Sequence, residues 1–381
     1  MKYVVMGVLL SVLASLTAMT PAFTAESKDL LVFIASFAPA GEGGIQAYHL
    51  NPGTGRLTLA QRTTDAEHPF FLALSPDRRF LYSIHAREFG GKAPEAVAAY
   101  AIGGRSGELK LLNRQSSRGT ASCYLEADAT GKSVLVANYS TGSVAALPVR
   151  KDGSLGEAAT FVQHVGTSVN PARQTGPHAH SFIVSPDNRY AYAADLGLDQ
   201  ILCYRLAAAS AKLTPNRQPF VRTPAGAGPR HLTFHPNGKH LYAINELANS
   251  VTCFDYDAKT GILIERQTIS TLPADFKGES YCADLKITPD GRFLYGTNRG
   301  HDSIAAYQIE ADGRLALIGI QPSLGKGPQN LAITPGGELL LCANMSGNNV
   351  ALFRIDSRSG ALTAVGTPTP LKSPSCIRVL P

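Results

Sequence analysis

LTFHPNGKHLYAIN, residues 232–245, reads as a short strand, a tight turn around Pro236-Asn237-Gly238, and a second strand that ends on a polar residue. LKITPDGRFLYGTN, residues 285–298, has the same design. The pattern recurs at FLALSPDRRF (71–80), YLEADATGKS (124–133), FIVSPDNRYA (182–191) and LAITPGGELL (331–340). With Pro76, Ala129, Pro186, Pro236, Pro289 and Pro335 as anchors, the separations are 53, 57, 50, 53 and 46 residues. Nine residues after each anchor stands His85, Asn138, Asp195, Asn245, Asn298 or Asn344, a position suited to side-chain bonds with turn backbone. A third apolar run follows in each unit: VAAYAI, VAALPV, ILCYRL, VTCFDY, IAAYQI and VALFRI. Turn pairs such as Asp152-Gly153, Thr260-Gly261, Asp312-Gly313 and Ser359-Gly360 then lead to an outer strand. Four short strands in a unit of about 50 residues predict a propeller blade.

The ends decide the blade count. The chain closes on SCIRVLP (375–381), a first strand with nothing after it, and LLVFIAS (30–36) and IQAYHL (45–50) are second and third strands with no first. Pairing the two ends predicts an all-β, seven-bladed β-propeller of four-stranded blades, with no open sheet edge at the seam. The expected domain spans residues 26–381. Residues 1–25 predict a secretory signal peptide: Met1-Lys2, an uncharged apolar run from Tyr3 to Leu16, then small residues with cleavage after Ala22 or Thr24. The apolar run is short for a membrane span, so the mature protein is expected to be periplasmic or secreted, with no membrane attachment.

Composition narrows the partners. A net charge of +6 in 381 residues, with no like-charge block and no basic run interleaved with aromatics, argues against nucleic acid. The six cysteines lack a CxxC. Cys203, Cys253 and Cys342 sit inside strand-like runs, which predicts buried free thiols rather than a disulfide framework. No amphipathic element suggests an interface, so a monomer is expected.

The first strand of each blade lines the central channel, so the chemistry belongs at equivalent positions in several repeats. There the middle blades carry His178, His180, Arg230, His231, Asp284, Gln329 and Asn330, and the second strands end on Asp195, Asn245-Glu246, Asn298-Arg299 and His301. His178 and His180, two apart on an extended segment, share a face, but no further ligand spacing accompanies them and no metal is expected. Arg230 and Arg299 suit either an ion pair with Asp284 or Glu246, or a bidentate grip on a carboxylate or phosphate. His235, His240 and His49 read as solvent-facing. A GxSxG elbow and a Gly-rich phosphate loop are both missing.

The stretches GPRHLTFHPNGKHLYAINEL (228–247), VTCFDYD (251–257), ADLKITPDGRFLYGTNRGHDSIAAYQI (283–309), DLGLDQI (195–201) and QNLAITPGGELLLCAN (329–344) closely resemble the bacterial propeller-type 6-phosphogluconolactonases and their relatives. The likeness runs from about Leu30 to Pro381. It implies a seven-bladed propeller that hydrolyses a sugar lactone with no cofactor, and it matches His178, His180, Arg230, His231, Glu246, Arg299 and His301. Asp284 stands where the family commonly has Glu, Gln329 where it has Arg, and His85-Ala86 where it often has Asn-Glu. The loss of an Arg at 329 leaves both 6-phosphogluconolactone and an unphosphorylated aldonolactone open. The expected catalytic residues are Glu246, Arg230, His180 and Asp284, with a carboxylate or neutral His180 as base and Arg230 on the oxyanion. His178, His231, Arg299, His301 and Asn330 are expected to bind substrate. A non-catalytic platform for a protein or glycan, an enzyme lactonising or isomerising muconate-like diacids, and metal-dependent gluconolactonase chemistry remain alternatives.

Overall fold

The computed structural model describes residues 1–3, 29–39, 41–86 and 91–380. The expected signal segment lies outside the described residues apart from its first three. Among the described residues no helix is long and apolar enough to cross a membrane.

Seven antiparallel sheets form the ring. Blade four shows the order: inner strand Pro229–Phe234, then His240–Asn245, Ser250–Asp257 and outer strand Ile262–Ser270. The inner strands of the other blades are Pro69–Leu74, Ser122–Ala127, Ala179–Val184, Tyr281–Ile287, Pro328–Ile333 and Pro374–Leu380. The seam is as the sequence predicts: Leu30–Ser36 pairs with Pro374–Leu380 antiparallel, from Leu31↔Leu380 to Ser36↔Pro374. Two chain segments about 340 residues apart thus share one blade, which completes the ring at the seam.

Two repeated devices hold the blades in place. The residue two after each anchor is left-handed: Arg78, Gly131, Asn188, Gly238, Gly291 and Gly337 all have φ between 59° and 80°. Glycine is the residue that takes this conformation without strain, which explains the Asn-Gly and Asp-Gly pairs in the turns. The second device joins neighbouring blades. Tyr82, Tyr192, Tyr242 and Tyr295 each donate to the carbonyl of Gly153, Gly261, Gly313 and Gly360 respectively, in the following blade's outer turn. The ring two residues earlier (Phe80, Tyr190, His240, Phe293) lies flat against the same glycine, where a Cβ would come within 2.5 Å. This corrects the expectation for His240. It occupies the aromatic position of the weld and is buried under Gly313, with Asp255 3.3 Å away.

The polar residues nine after the anchors are buried and serve the fold. Asn138, Asn298 and Asn344 donate through Nδ2 to the carbonyls of Ser117, Thr271 and Ser323, tying the second strand of one blade to the residue just past the outer strand of the preceding blade. All six cysteines are free and buried.

Candidate active site

Each inner strand carries a bulge just before its regular pairing begins. In blade three the pairing jumps from Ala179 to Ser181, in blade four from Pro229 to His231, and in blade six from Pro328 to Asn330. His180, Arg230 and Gln329 are the residues skipped. A bulge puts two residues opposite one and re-aims the extra side chain. Here, in four of the blades, it turns the position six before the anchor into the channel mouth. In five of the blades the position ten after the anchor, or its equivalent in the seam blade, where the second strand leaves the sheet, supplies the opposite wall. Phe70, His180, Arg230 and Gln329 from the first position meet Phe37, Tyr139, Glu246, Arg299 and Met345 from the second, around a cavity of about 320 Å³. Arg173 completes it from the segment between Thr160–Gln163 and Ala179–Val184.

Glu246 is the hub. It is 5% exposed and accepts from three guanidiniums: Arg173 Nη2 at 2.6 Å on Oε1, with Arg230 Nε at 2.9 Å and Arg299 Nη2 at 2.8 Å on Oε2. Burial pushes its carboxyl up, but Arg299, Arg230 and Arg173 outweigh that and hold it at about 2. Glu246 is therefore ionised at any working pH, and both its oxygens are engaged. Three arginines against one carboxylate leave a surplus of positive charge in the cavity.

Arg230, 2% exposed, is gripped on two edges. Nε goes to Glu246, and Nη1 to the Ala283 carbonyl and to His231 Nε2 at 3.3 Å. Burial, then the charge of Arg299, lowers its pKa to about 10. His180 is buried beside it. Its ring meets Tyr139 and His231 edge-on at 5.4 and 5.3 Å, with Nδ1 3.6 Å from Cys123 Sγ. Burial, then Arg230 and His231, hold His180 well below the usual histidine range, so the imidazole is neutral.

The expected residues separate into two groups. Glu246, Arg230, His180 and Arg299 line the cavity together. The others do not line it. His231, Asp284 and Asn330 form a buried layer next to it, with Asp284 Oδ1 2.8 Å from His231 Nδ1 and Asp284 Oδ2 2.7 Å from Asn330 Nδ2. Asn330 Oδ1 in turn accepts from the Ile377 amide of the seam strand. His178 stacks on Tyr139 at 4.5 Å and bonds through Nδ1 to the Tyr139 carbonyl. His301 bonds to Ser303 and packs on Phe276, both contacts local to its own blade and its approach loop. Among the described residues no group of three or more His, Cys, Asp or Glu is placed to hold a metal ion.

Sequence reasoning missed Arg173, Tyr139, Phe37, Phe70 and Met345 as cavity residues. Tyr139, Phe37 and Met345 share the register of Glu246 and Arg299, so the repeat itself was the signal. Arg173 has no repeat equivalent. Its segment is fixed by Asp199, which takes Gln174 Nε2 at 2.7 Å and the amides of Gly226 and Gly228 at 2.6 and 2.7 Å.

The model of the family "Lactonase, 7-bladed beta-propeller" matches residues 31–379. A 6-phosphogluconolactonase of Bacillus subtilis is 33% identical over 349 residues, covering 91% of this chain and 97% of its own. One from Formosa agariphila is 33% identical over 338 residues, covering 87% and 94%. The solved structure of a periplasmic gluconolactonase from Pseudomonas aeruginosa superposes with a TM-score of 0.87 at 31% identity, covering 93% of this chain and 99% of that one. On this match, and with the seam and the blades in place, the chain belongs to the seven-bladed β-propeller lactonase family.

Proposed function

We propose that the protein is a cofactor-independent lactone hydrolase that opens a sugar lactone at the channel mouth. The observation that carries this reading is the joining, in one cavity, of a neutral buried imidazole to three arginines organised by a single carboxylate. The carbonyl oxygen of the lactone lies against Arg230 Nη2, whose two N–H groups are not used by the contacts that anchor the guanidinium. A water attacks the carbonyl carbon. His180, with its own proton on the Nδ1 that faces Cys123, takes the water's proton at Nε2, and the oxyanion is held by Arg230 and Arg299. Collapse of the tetrahedral intermediate breaks the ring C–O bond, and the imidazolium returns the proton to the leaving alkoxide. The product is the open hydroxy acid. Glu246 sets the arginines and is not the base, because a carboxylate held at about 2 with both oxygens engaged is a poor proton acceptor. His178 and His301 act outside the reacting atoms.

Gln329 stands in the cavity wall where the family resemblance commonly implies an arginine, and the N-terminus has the layout of an export signal. Both favour an unphosphorylated aldonolactone met outside the cytoplasm, and the mature protein, periplasmic or secreted, acts as a monomer. The test is the initial rate of acid release from glucono-δ-lactone and from 6-phosphogluconolactone, each against its spontaneous hydrolysis. A clear excess on the neutral lactone supports the proposal. Excess on the phosphorylated lactone alone reverses the substrate choice, and no excess on either removes the hydrolase reading.

A further inference from the structure

Beneath the cavity, His231 and Asp284 form a pair that the reaction above does not use. Both are buried, at 3% and 1% exposure, and neither lines the cavity. Their contacts run in one direction. Asp284 accepts from Lys286 Nζ at 2.8 and 2.7 Å, from Asn330 Nδ2 at 2.7 Å and from the Leu331 amide at 2.9 Å. It faces His231 Nδ1 at 2.8 Å. A carboxylate with two oxygens and this many donors is saturated, and burial keeps cavity water from it. Its pKa lies far below the usual range: burial works against this, and Lys286 and His231 outweigh the burial.

The other ring nitrogen settles what the pair does. His231 Nε2 faces Arg230 Nη1 at 3.3 Å. A guanidinium has donors only, so a favourable contact requires a lone pair on Nε2. The single imidazole proton must then sit on Nδ1, which is where ionised Asp284 accepts it. Burial, then the charge of Arg230, drives the His231 pKa to about 3, so the ring stays neutral. The Ala283 carbonyl, from the bulged segment one residue before Asp284, takes the other proton of the same Nη1. Asp284 and its strand therefore act on one edge of Arg230, while Glu246 holds the Nε edge.

We infer that Asp284 and His231 are positioning residues: Asp284 fixes the His231 tautomer with the proton on Nδ1, and the resulting Nε2 lone pair orients Arg230 so that its Nη2 edge faces the reacting carbonyl. This assignment rests on the lactonase reading for its consequence in turnover, but not for its geometry. It replaces a base role for Asp284 and a substrate contact for His231.

Two measurements test it. The first is nitrogen-15 NMR of the wild-type protein labelled at histidine, with His231 assigned by His231→Gln. The expected result is a neutral ring protonated at Nδ1 and unchanged from pH 5 to 8. A proton on Nε2, or titration in that window, overturns the inference whether or not the protein turns over a lactone. The second is steady-state kinetics of Asp284→Asn on whichever lactone the wild type hydrolyses. An amide at 284 offers an N–H to Nδ1, which drives the proton to Nε2 and sets donor against donor at Arg230. Outer-shell partners of this kind act on a scale of roughly 10- to 100-fold. The expected result is kcat lowered at least about tenfold with KM nearly unchanged, and partial recovery in Asp284→Glu. Wild-type kcat in a folded Asp284→Asn, or a loss carried by KM alone, overturns the inference. Should Asp284→Asn fail to fold, the tautomer measurement decides it. A wild type inactive on every lactone counts against the hydrolase reading, and the tautomer again decides the positioning role.

Discussion

Replacing Glu246 by Gln keeps the shape of the side chain and removes its charge, and two routes give the size of the effect. The folded carboxyl lies at about 2 against an ordinary 4.5. At about 1.4 kcal/mol per pH unit, that difference is worth about 3 kcal/mol of stability at neutral pH. Independently, breaking a buried ion pair by removing one partner costs about 3–5 kcal/mol. The routes agree because both describe Arg173, Arg230 and Arg299 left facing one another. The pH dependence follows from the sign of the shift. A depressed pKa stabilises the fold above the unfolded value and is lost as pH falls through the folded one, so the window runs from about 4.5 down to about 2. Urea unfolding of the wild type and Glu246→Gln should differ by about 3 kcal/mol at pH 7, narrowing to about 1 kcal/mol at pH 3. Turnover of the variant should fall at least about tenfold, since Arg230 and Arg299 lose their shared acceptor. Equal stability at pH 7, or a gap that does not close in acid, would refute the reading of Glu246 as the charge hub. A stability loss with wild-type turnover would place the hub in the fold and outside the chemistry.

The other expectations concern the rim and the blade weld. Arg173 is one-third exposed and bonds Glu246 at 2.6 Å and Tyr139 Oη at 3.2 Å, so Arg173→Ala should cost less than about 1 kcal/mol. Its kinetic effect should be a several-fold rise in KM, larger for a phosphorylated than for a neutral lactone; Michaelis kinetics on both substrates would show it, and an unchanged KM would exclude Arg173 from binding. Gly313→Ala places a Cβ 2.5 Å from His240 Nδ1 at a φ of +85°. The backbone conformation alone costs about 1–2 kcal/mol and the overlap adds to it, so a thermal melt should show a clear drop, with a shift equivalent to less than about 1 kcal/mol contradicting the weld.

The fold was legible because a propeller writes its register into the sequence at every turn. Once Pro76 to Pro335 were aligned, strand order, blade count and the pairing of Leu30–Ser36 with Pro374–Leu380 all followed. The site was legible only in part, for a physical reason. Residues adjacent in sequence on an inner strand, such as Arg230 and His231 or Gln329 and Asn330, have opposite fates. The bulge sends the first into the cavity, and the second enters the buried layer below. A bulge is a backbone event without a residue signature, so polar type alone could not separate Arg230 from His231. His240 failed for the opposite reason, since its place in the weld is set by a glycine in another blade, 73 residues away.

The two groups of polar residues also differ in what their charges can do. In the lower layer, Asp284 is matched by Lys286 and its remaining capacity is filled by Asn330, Leu331 and His231, so the layer is electrically closed. In the cavity, Glu246 alone faces three guanidiniums, and nothing else that lines it carries negative charge. A buried surplus of cations is costly unless an anion completes it. In the proposed reaction the anion forms in place, as the carbonyl oxygen gains charge, so the same surplus would be better satisfied in the transition state than in the ground state. That difference is what a lactonase needs. On that mechanism a single carboxylate organises the arginines and leaves a surplus of two positive charges, which a second one in the cavity would cut to one before the substrate arrived.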